Sequence, residues 1–196
     1  MKGDLAIAIL AAGAGARFGG GKLDAPVAGR LLGGYAVEAA RPLGVPKIVV
    51  GRPVPEFANQ AMALGDAQLL KNTRAGEGLG TSVALAALQA AAAGAEALLL
   101  LAADMPRVTT ATLRKLAEAC APGRPACVAY ADGSAGIPAC FPADWFAALA
   151  RLEGDRGAGA LLRDAPVLSV TEVSPDELAD VDTAEDLAAL AARHRP

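Results

Sequence analysis

The sequence predicts a single three-layer, Rossmann-like α/β domain in which helices cover both faces of a mostly parallel β-sheet. Short apolar runs alternate along the chain with segments of helical periodicity, which is the pattern of such sheets. The length of 196 residues suits one domain. Hydrophobic residues make up 54% of the chain and aromatic residues only 4%, so we expect a core of Ala, Leu and Val. No linker or repeat divides residues 1–196.

The expected elements follow one another in a regular order. Strands are predicted at Leu5–Ala11, Lys47–Val50, Ala67–Leu70, Glu96–Ala102, Ala126–Tyr130, Ile137–Phe141 and Val167–Val170. Helices are predicted at Gly34–Arg41, Pro55–Leu64, Leu79–Ala93, Thr110–Cys120, Ala143–Leu152, Ala158–Arg163 and Thr183–Arg193. Sheets of this kind bind ligands at the carboxyl ends of their strands. We therefore expect the loops that follow the strands to surround one cleft.

The loop after the first strand is rich in glycine and reads I-L-A-A-G-A-G-A-R-F-G-G-G-K from Ile9 to Lys22. Glycines let the main chain turn its N–H groups inward and let a ligand approach closely, which favours anion binding. Arg17 and Lys22 add two cations, so the pattern predicts a phosphate-binding loop. A tight strand-to-helix turn is the alternative. Because loops lie at the surface, we expect both cations to be exposed and to contribute little to stability.

Two common phosphate loops do not fit this segment. A P-loop requires G-x-x-x-x-G-K-[ST], but Ala16 stands at its first glycine and Leu23 follows Lys22. The dinucleotide fingerprint G-x-G-x-x-G fails at its third glycine, where Phe18 stands. A dehydrogenase that uses a nucleotide cofactor is therefore disfavoured.

A second glycine-rich segment, K-N-T-R-A-G-E-G-L-G-T-S from Lys71 to Ser82, leads into the helix predicted at Leu79. The free N–H groups of such a helix start can bind anions. Thr81 and Ser82 add hydroxyl groups that could contact a ligand. Capping of the helix by either residue would explain them equally well.

Two aspartates are candidate metal ligands. Asp104 directly follows the apolar Leu98–Ala103 run, and Pro106 favours a turn there. A carboxylate at that position suits Mg²⁺, although a turn-forming aspartate is also common. Asp182 opens the last predicted helix three residues before Glu185, so it could bind the metal, form a capping box, or do both.

These segments together resemble the nucleotidyltransferases that attach CMP or GMP to molybdopterin, and the closest branch is the molybdenum-cofactor cytidylyltransferases. The opening L-A-A-G-x-G-x-R-F-G-x-x-K carries the resemblance most clearly. It implies a fold like that of the nucleotide-diphospho-sugar transferases, Mg²⁺ as cofactor and CTP or another NTP as substrate. Ala12, where the guanylyl branch usually has Gly, favours CTP because a β-carbon there crowds a purine.

The resemblance also assigns roles to individual residues. Lys22 would contact the α-phosphate, Arg17 the β- and γ-phosphates, and Asp104 the catalytic metal. The remaining assignments are nucleotide binding by Leu10, Ala11, Ala12, Gly13, Gly15, Asn72, Gly78 and Ser82, metal binding by Asp104 and Asp182, and an acceptor side formed by Gly136, Pro138, Gly154 and Asp155.

The implied reaction is attack of an acceptor phosphate on the α-phosphorus of the NTP with release of pyrophosphate. Ile137 replaces the His common in the cytidylyl branch, and Gly159 replaces an Arg. Both departures lie on the acceptor side, so the acceptor could be molybdopterin or a sugar or polyol phosphate. A non-catalytic protein that delivers the cofactor to a molybdenum enzyme is a second hypothesis.

Charge and composition exclude other classes. The net charge of −3 argues against a general nucleic-acid binder. Residues 1–52 hold seven Lys/Arg and three Asp/Glu, whereas residues 172–196 hold two and seven, and a basic first quarter suits a polyphosphate ligand. Three cysteines without C-x-x-C spacing do not suggest a disulfide framework. No signal peptide and no apolar stretch of about 18 residues is evident, so we expect a cytoplasmic protein without membrane contact.

Overall fold

The computed structural model, which describes residues 4–13, 18, 20–166 and 168–193, is built around a seven-stranded β-sheet. Its strands are β1 (Leu5–Ala11), β4 (Lys47–Val50), β5 (Gln68–Lys71), β6 (Ala97–Ala102), β7 (Ala126–Ala129), β8 (Ala135–Pro142) and β9 (Ser169–Thr171). A separate antiparallel pair consists of β2 (Pro26–Val27) and β3 (Arg30–Leu31). The helices are α1 (Gly34–Ala40), α2 (Glu56–Ala63), α3 (Leu79–Ala92), α4 (Thr110–Ala119), α5 (Phe146–Leu149), α6 (Ala158–Arg163) and α7 (Ala184–Arg193).

The strand order across the large sheet is β5-β4-β1-β6-β8-β7-β9. The four strands from β5 to β6 are mutually parallel. β8 is antiparallel to both of its neighbours, and β9 is parallel to β7. The prediction of a mostly parallel α/β sheet is therefore confirmed, with β8 as the reversed strand.

Strand β6 lies at the centre of two apolar cores, one on each face of the sheet. Leu99 and Leu101 pack with residues of α1, α2 and α4, whereas Leu98 and Leu100 pack with residues of α3, α5 and α6. All four leucines are almost completely buried. Burial of one such side chain contributes about 1.5–3 kcal/mol. The alternation of side chains along one strand thus produces the three predicted layers.

The predicted element boundaries agree with the structure to within a few residues, with one clear exception. The helix expected at Ala143–Leu152 is a 3₁₀ turn at Ala143–Trp145 followed by the four-residue α5. The chain stays tightly wound beyond α5, since the N–H of Leu152 donates to the carbonyl of Leu149 at 3.1 Å. Among the described residues, no helix has the length and apolar character needed to cross a membrane.

Candidate functional site

A cleft of about 1050 Å³ opens where the parallel strands end. Its walls come from the loops that follow β1, β4, β5 and β6, as the position of ligand sites in α/β sheets predicts. Ten of the predicted site residues line it, namely Leu10, Ala11, Ala12, Gly13, Lys22, Asn72, Gly78, Ser82, Asp104 and Asp155. Gly15 and Arg17 lie outside the described residues.

Lys22 lies at one end of this cleft between two carboxylates. It begins a 3₁₀ turn at Lys22–Asp24, directly after Gly20 and Gly21, whose φ angles are 96° and 66°. Its ammonium donates hydrogen bonds to Asp104 Oδ2 at 2.8 Å and to Asp182 Oδ1 at 3.0 Å. The Lys22 side chain is only 10% exposed, so the prediction that it is an exposed loop cation is wrong.

The charges of this cluster influence one another. Burial lowers the pKa of Lys22, but the hydrogen bonds and charges of Asp104 and then Asp182 outweigh that effect and raise its pKa overall. Burial, followed by the charges of Asp182 and Asp104, raises the pKa of Asp180. The Lys22 ammonium is therefore held firmly in its charged form, and the surroundings of Asp180 are already negative.

A main-chain contact brings the segment before α7 to the end of β6. The N–H of Val181 donates to the carbonyl of Asp104 at 3.0 Å. The Val181 side chain is buried in a small apolar cluster with Val27, Leu32 and Leu190. Since this contact fixes the residue just before Asp182, both aspartates reach the same ammonium.

The capping box of α7 starts one residue later than Asp182. Asp186 N donates to Thr183 Oγ1 at 3.1 Å, and Thr183 N donates to Asp186 Oδ2 at 2.8 Å. The prediction that Asp182 and Glu185 form the capping box is therefore wrong, because the Thr183–Asp186 pair forms it. Asp182 contacts Lys22 through its side chain, and its role as a metal ligand stays a prediction.

The donor set fits a magnesium ion. Asp104 and Asp182 present two hard oxygen atoms to one positive group. Mg²⁺ is usually held by one or two carboxylates and completes its shell with phosphate oxygens and water. No group of three or more His, Cys, Asp or Glu residues suited to a metal occurs among the described residues.

Asn72 organises the glycine-rich loop between β5 and α3. Its buried amide donates to Thr81 Oγ1 and Ser82 Oγ, both at 2.9 Å, and its Oδ1 accepts from Arg74 N at 2.9 Å. The N-cap residue of α3 is Gly78, and no side chain caps it. Thr81 and Ser82 are therefore partners of Asn72 and not helix caps. Asn72 and Ser82 still line the cleft.

Gly78 and Gly80 join the glycine-rich loop between β5 and α3 to the predicted acceptor side. A Cβ atom at Gly78 would lie 2.3 Å from Gly154 C, and one at Gly80 would lie 2.7 Å from Glu153 N. The N–H of Gly80 donates to the carbonyl of Gly154 at 2.8 Å. Two segments about 75 residues apart in sequence are thus packed backbone to backbone, and Asp155 reaches the cleft from this junction.

The β7–β8 hairpin supplies the other part of the predicted acceptor side. Ile137 lines the cleft, whereas Gly136 and Pro138 are not among its lining residues. The Tyr130 hydroxyl donates to the carbonyl of Ile137 at 2.7 Å, and a Cβ at Gly136 would lie 2.5 Å from the Tyr130 ring. Packing against Tyr130 therefore accounts for the glycine at position 136 without an acceptor.

Some residues of the cleft were not predicted from the sequence. Arg52 and Glu77 line it beyond the ends of β4 and β5. Asp24 accepts from the N–H groups of Glu56 and Phe57, both at 2.9 Å, and so caps α2 from a distant part of the chain. This cap fixes the loop that carries Arg52. The only signal available was the position of Arg52 two residues after a predicted strand.

Comparison with known proteins supports the nucleotidyltransferase assignment. A protein of Opitutus terrae named "Probable molybdenum cofactor guanylyltransferase" is 33% identical over 138 residues, which span 70% of this chain and 66% of that protein. A manganese complex of a Mycobacterium tuberculosis protein has 27% identity and a TM-score of 0.75, covering 96% of this chain and 98% of that one. A nucleotidyl transferase from Methanothermobacter has a TM-score of 0.83 at 23% identity, covering 97% of both chains, and thus shares the fold.

The family assignment depends on most of the chain. Residues 7–171 match the MobA-like NTP transferase domain, a span that contains most of β1, the second glycine-rich loop and Asp104. The resemblance of the sequence motifs to this family of nucleotidyltransferases is thereby confirmed, and the cytidylyl branch stays a prediction. The chain belongs to the MobA-like NTP transferase domain family.

Proposed function

We propose that this protein transfers a guanylyl group from GTP to the phosphate of a molybdopterin-type acceptor. The observation that carries the proposal is the Lys22–Asp104–Asp182 cluster at one end of a cleft bounded by two glycine-rich loops. An ammonium group suits an α-phosphate, and paired carboxylates suit the cation that accompanies a triphosphate. The name of the Opitutus relative supports the acceptor class and the guanine base.

In the proposed reaction, an oxygen of the acceptor phosphate forms a bond to the α-phosphorus. The bond between that phosphorus and the bridging oxygen of the β-phosphate breaks, and pyrophosphate leaves with the electron pair. A phosphate nucleophile is already ionised near neutral pH, so no general base is required. Catalysis can depend on alignment and charge neutralisation. Lys22 would bind the α-phosphate, and Arg17 is proposed for the β- and γ-phosphates.

Asp104 and Asp182 would hold Mg²⁺, which when bound neutralises charge that develops on the phosphates. The manganese complex of the related Mycobacterium tuberculosis protein supports the use of a divalent cation. The two aspartates would hold that cation at the end of the cleft where both now contact Lys22.

Two residues favour different bases. Ala12 favours CTP through the crowding argument, and this preference stays a prediction. Arg52 favours GTP, because a guanidinium group can donate two parallel hydrogen bonds to O6 and N7 of guanine. It lines the cleft at the ends of β4 and β5, away from the strand that precedes Asp104. Because the Opitutus relative is also named a guanylyltransferase, we propose GTP as the preferred substrate and CTP as the alternative.

The acceptor side leaves a second candidate. Ile137 is an apolar residue in the cleft wall, where the cytidylyl branch commonly has His. A sugar or polyol phosphate is therefore the alternative acceptor. A non-catalytic carrier that hands the cofactor to a molybdenum enzyme would use the same cleft without releasing pyrophosphate.

The deciding experiment measures pyrophosphate release for each of the four NTPs with molybdopterin and with representative sugar and polyol phosphates. We expect the fastest release with GTP and molybdopterin in the presence of Mg²⁺. Asp104→Asn should slow turnover by about 10²-fold or more and shift its magnesium dependence, and Asp182→Asn should have a smaller effect of the same kind. The exposed Asp164 provides a matched control, since Asp164→Asn should behave as wild type.

Each failure has a distinct meaning. Absence of pyrophosphate with every pair of substrates would favour the carrier. Faster release with CTP would restore the cytidylyl assignment. A wild-type magnesium curve for Asp104→Asn would remove the proposed metal site.

A further inference from the structure

We infer that Lys22 occupies, in the protein without nucleotide, the place of the divalent cation, and that it must leave this place before the cation binds there. This inference rests on the metal site of the proposed function and adds a competition within that site. The Lys22 ammonium lies within hydrogen-bonding distance of both carboxylates proposed as ligands, at 2.8 Å from Asp104 and 3.0 Å from Asp182.

Distance and charge make the two cations mutually exclusive. Mg²⁺ binds oxygen at about 2.0–2.1 Å, so an ion held by the same two oxygen atoms would lie in the space that now contains the ammonium. The Lys22 ammonium and a divalent cation held by the same oxygen atoms would also repel each other strongly, because the site is partly shielded from water. The side chains of Lys22, Asp104 and Asp182 are only 10%, 27% and 38% exposed.

A triphosphate resolves the competition by offering the ammonium other oxygen atoms. Lys22 lies at the end of the glycine-rich loop and lines the cleft, so a phosphate bound there is within its reach. Its long, flexible side chain allows the ammonium to move while the stem stays in place. Once it turns towards a phosphate, the ammonium no longer occupies the position between the two carboxylates, where the cation that the nucleotide brings would bind.

Nucleotide and metal should therefore bind with positive coupling that is carried by Lys22. A metal ion that binds alone must displace the Lys22 ammonium, and it gains no phosphate ligand. A metal ion that binds together with the nucleotide displaces the same ammonium, but the ammonium then gains a phosphate as its partner. Coupling between two sites commonly amounts to about 5- to 150-fold in affinity. We expect the protein without nucleotide to bind a divalent cation weakly for this reason.

The test compares Mn²⁺ binding, measured by the electron paramagnetic resonance signal of free Mn²⁺, in the protein without nucleotide. Lys22→Met keeps the apolar stem and removes the charge, and Lys22→Gln provides a second neutral variant that can still donate a hydrogen bond. Both should bind Mn²⁺ about tenfold more tightly than wild type, which lies within the usual range of coupling. Lys115→Met, on the exposed face of α4, removes a remote charge and should not change the affinity.

Thermal denaturation gives an independent measurement. In EDTA, Lys22→Met should melt below wild type, because Asp104 and Asp182 then lose the ammonium that lies between their carboxylates. Added Mn²⁺ should raise its melting temperature more than that of wild type, since the metal replaces the missing charge.

The alternative is that Lys22 supports the metal site and never competes for it. Equal or weaker Mn²⁺ binding by both neutral variants would establish that alternative and overturn the inference. Asp104→Asn separates this failure from failure of the metal site itself. Loss of Mn²⁺ binding in Asp104→Asn confirms the site, whichever way the lysine variants behave. Unchanged binding in Asp104→Asn, or none in any variant, overturns the metal assignment and the inference together.

Discussion

Replacement of Gly78 by alanine should displace the loop that carries Asp155 into the cleft. Gly78 has a φ of +114°, and a Cβ there would lie 2.3 Å from Gly154 C and O and 2.8 Å from Asp155 N. These are main-chain atoms, which cannot move aside by changing a side-chain rotamer. The segment at Gly154 and Asp155 must therefore shift as a whole, or Gly78 must change its conformation.

The size of the effect follows from two costs. Forcing an extra carbon into a packed site costs about 1–3 kcal/mol. With a ψ of 170°, Gly78 also lies in a region of backbone conformation that is essentially restricted to glycine, which costs another residue about 1–3 kcal/mol. Together we expect a loss of roughly 2–6 kcal/mol in the free energy of unfolding. For a chain of this size, that corresponds to a fall of roughly 4–24 °C in melting temperature.

Gly76 provides a matched control in the same loop. It also lines the cleft, but a Cβ at Gly76 would have no atom within 4 Å. Gly76→Ala should therefore melt within about 2 °C of wild type, as substitutions without steric conflict usually do. Scanning calorimetry and pyrophosphate release would be measured for both variants. If Gly78→Ala matched Gly76→Ala in both measurements, the argument that backbone contact holds the two loops together would be refuted.

Three further predictions concern other parts of the molecule. Thr183→Ala removes the cap of α7 and should lower the free energy of unfolding by about 1 kcal/mol in urea titrations; a changed magnesium dependence would contradict the separation of cap and metal ligand. Arg52→Ala should reduce the ratio of kcat/KM for GTP over CTP by about tenfold. 7-deaza-GTP, which lacks the N7 acceptor, should be a poorer substrate than GTP for wild type but not for Arg52→Ala. Equal losses of kcat/KM for GTP and CTP in Arg52→Ala would instead indicate that Arg52 contacts a phosphate. The buried thiols of Cys120, Cys127 and Cys140 should not react with Ellman's reagent until urea unfolds the protein, and a thiol that reacts in the native state would contradict their burial.

The sheet and its cleft could be predicted because their signals are local. Apolar runs such as Leu98–Ala103 mark buried strands wherever they occur, and the residue directly after a parallel strand must lie at the ligand-binding edge. The apolar run Lys47–Val50 predicted a strand, and the end of that strand places Arg52 near the ligand-binding edge. The same reasoning did not single out Arg52, because an arginine after a strand is common and nothing nearby in sequence shows that it lines a cleft.

The cap of α7 was predicted less well because two overlapping residue pairs in the same segment both match the capping-box pattern. Asp182 with Glu185 and Thr183 with Asp186 both have the spacing of a capping box. The choice depends on where the chain enters the helix. That point is fixed by the contact between Val181 N and the carbonyl of Asp104, a residue far away in sequence. Local pattern alone could not contain that information.

Lys22 shows the same limitation at the centre of the candidate site. A cation within a glycine-rich loop looks exposed when only its neighbours in sequence are considered. Its two partners are 82 and 160 residues further along the chain, and they bury it only after β6 and the segment before α7 have met. The position of this ammonium therefore depends on a contact made near the other end of the chain. A change that disturbs Val181 should consequently alter the position of the Lys22 ammonium in the cleft, although Val181 itself does not line it.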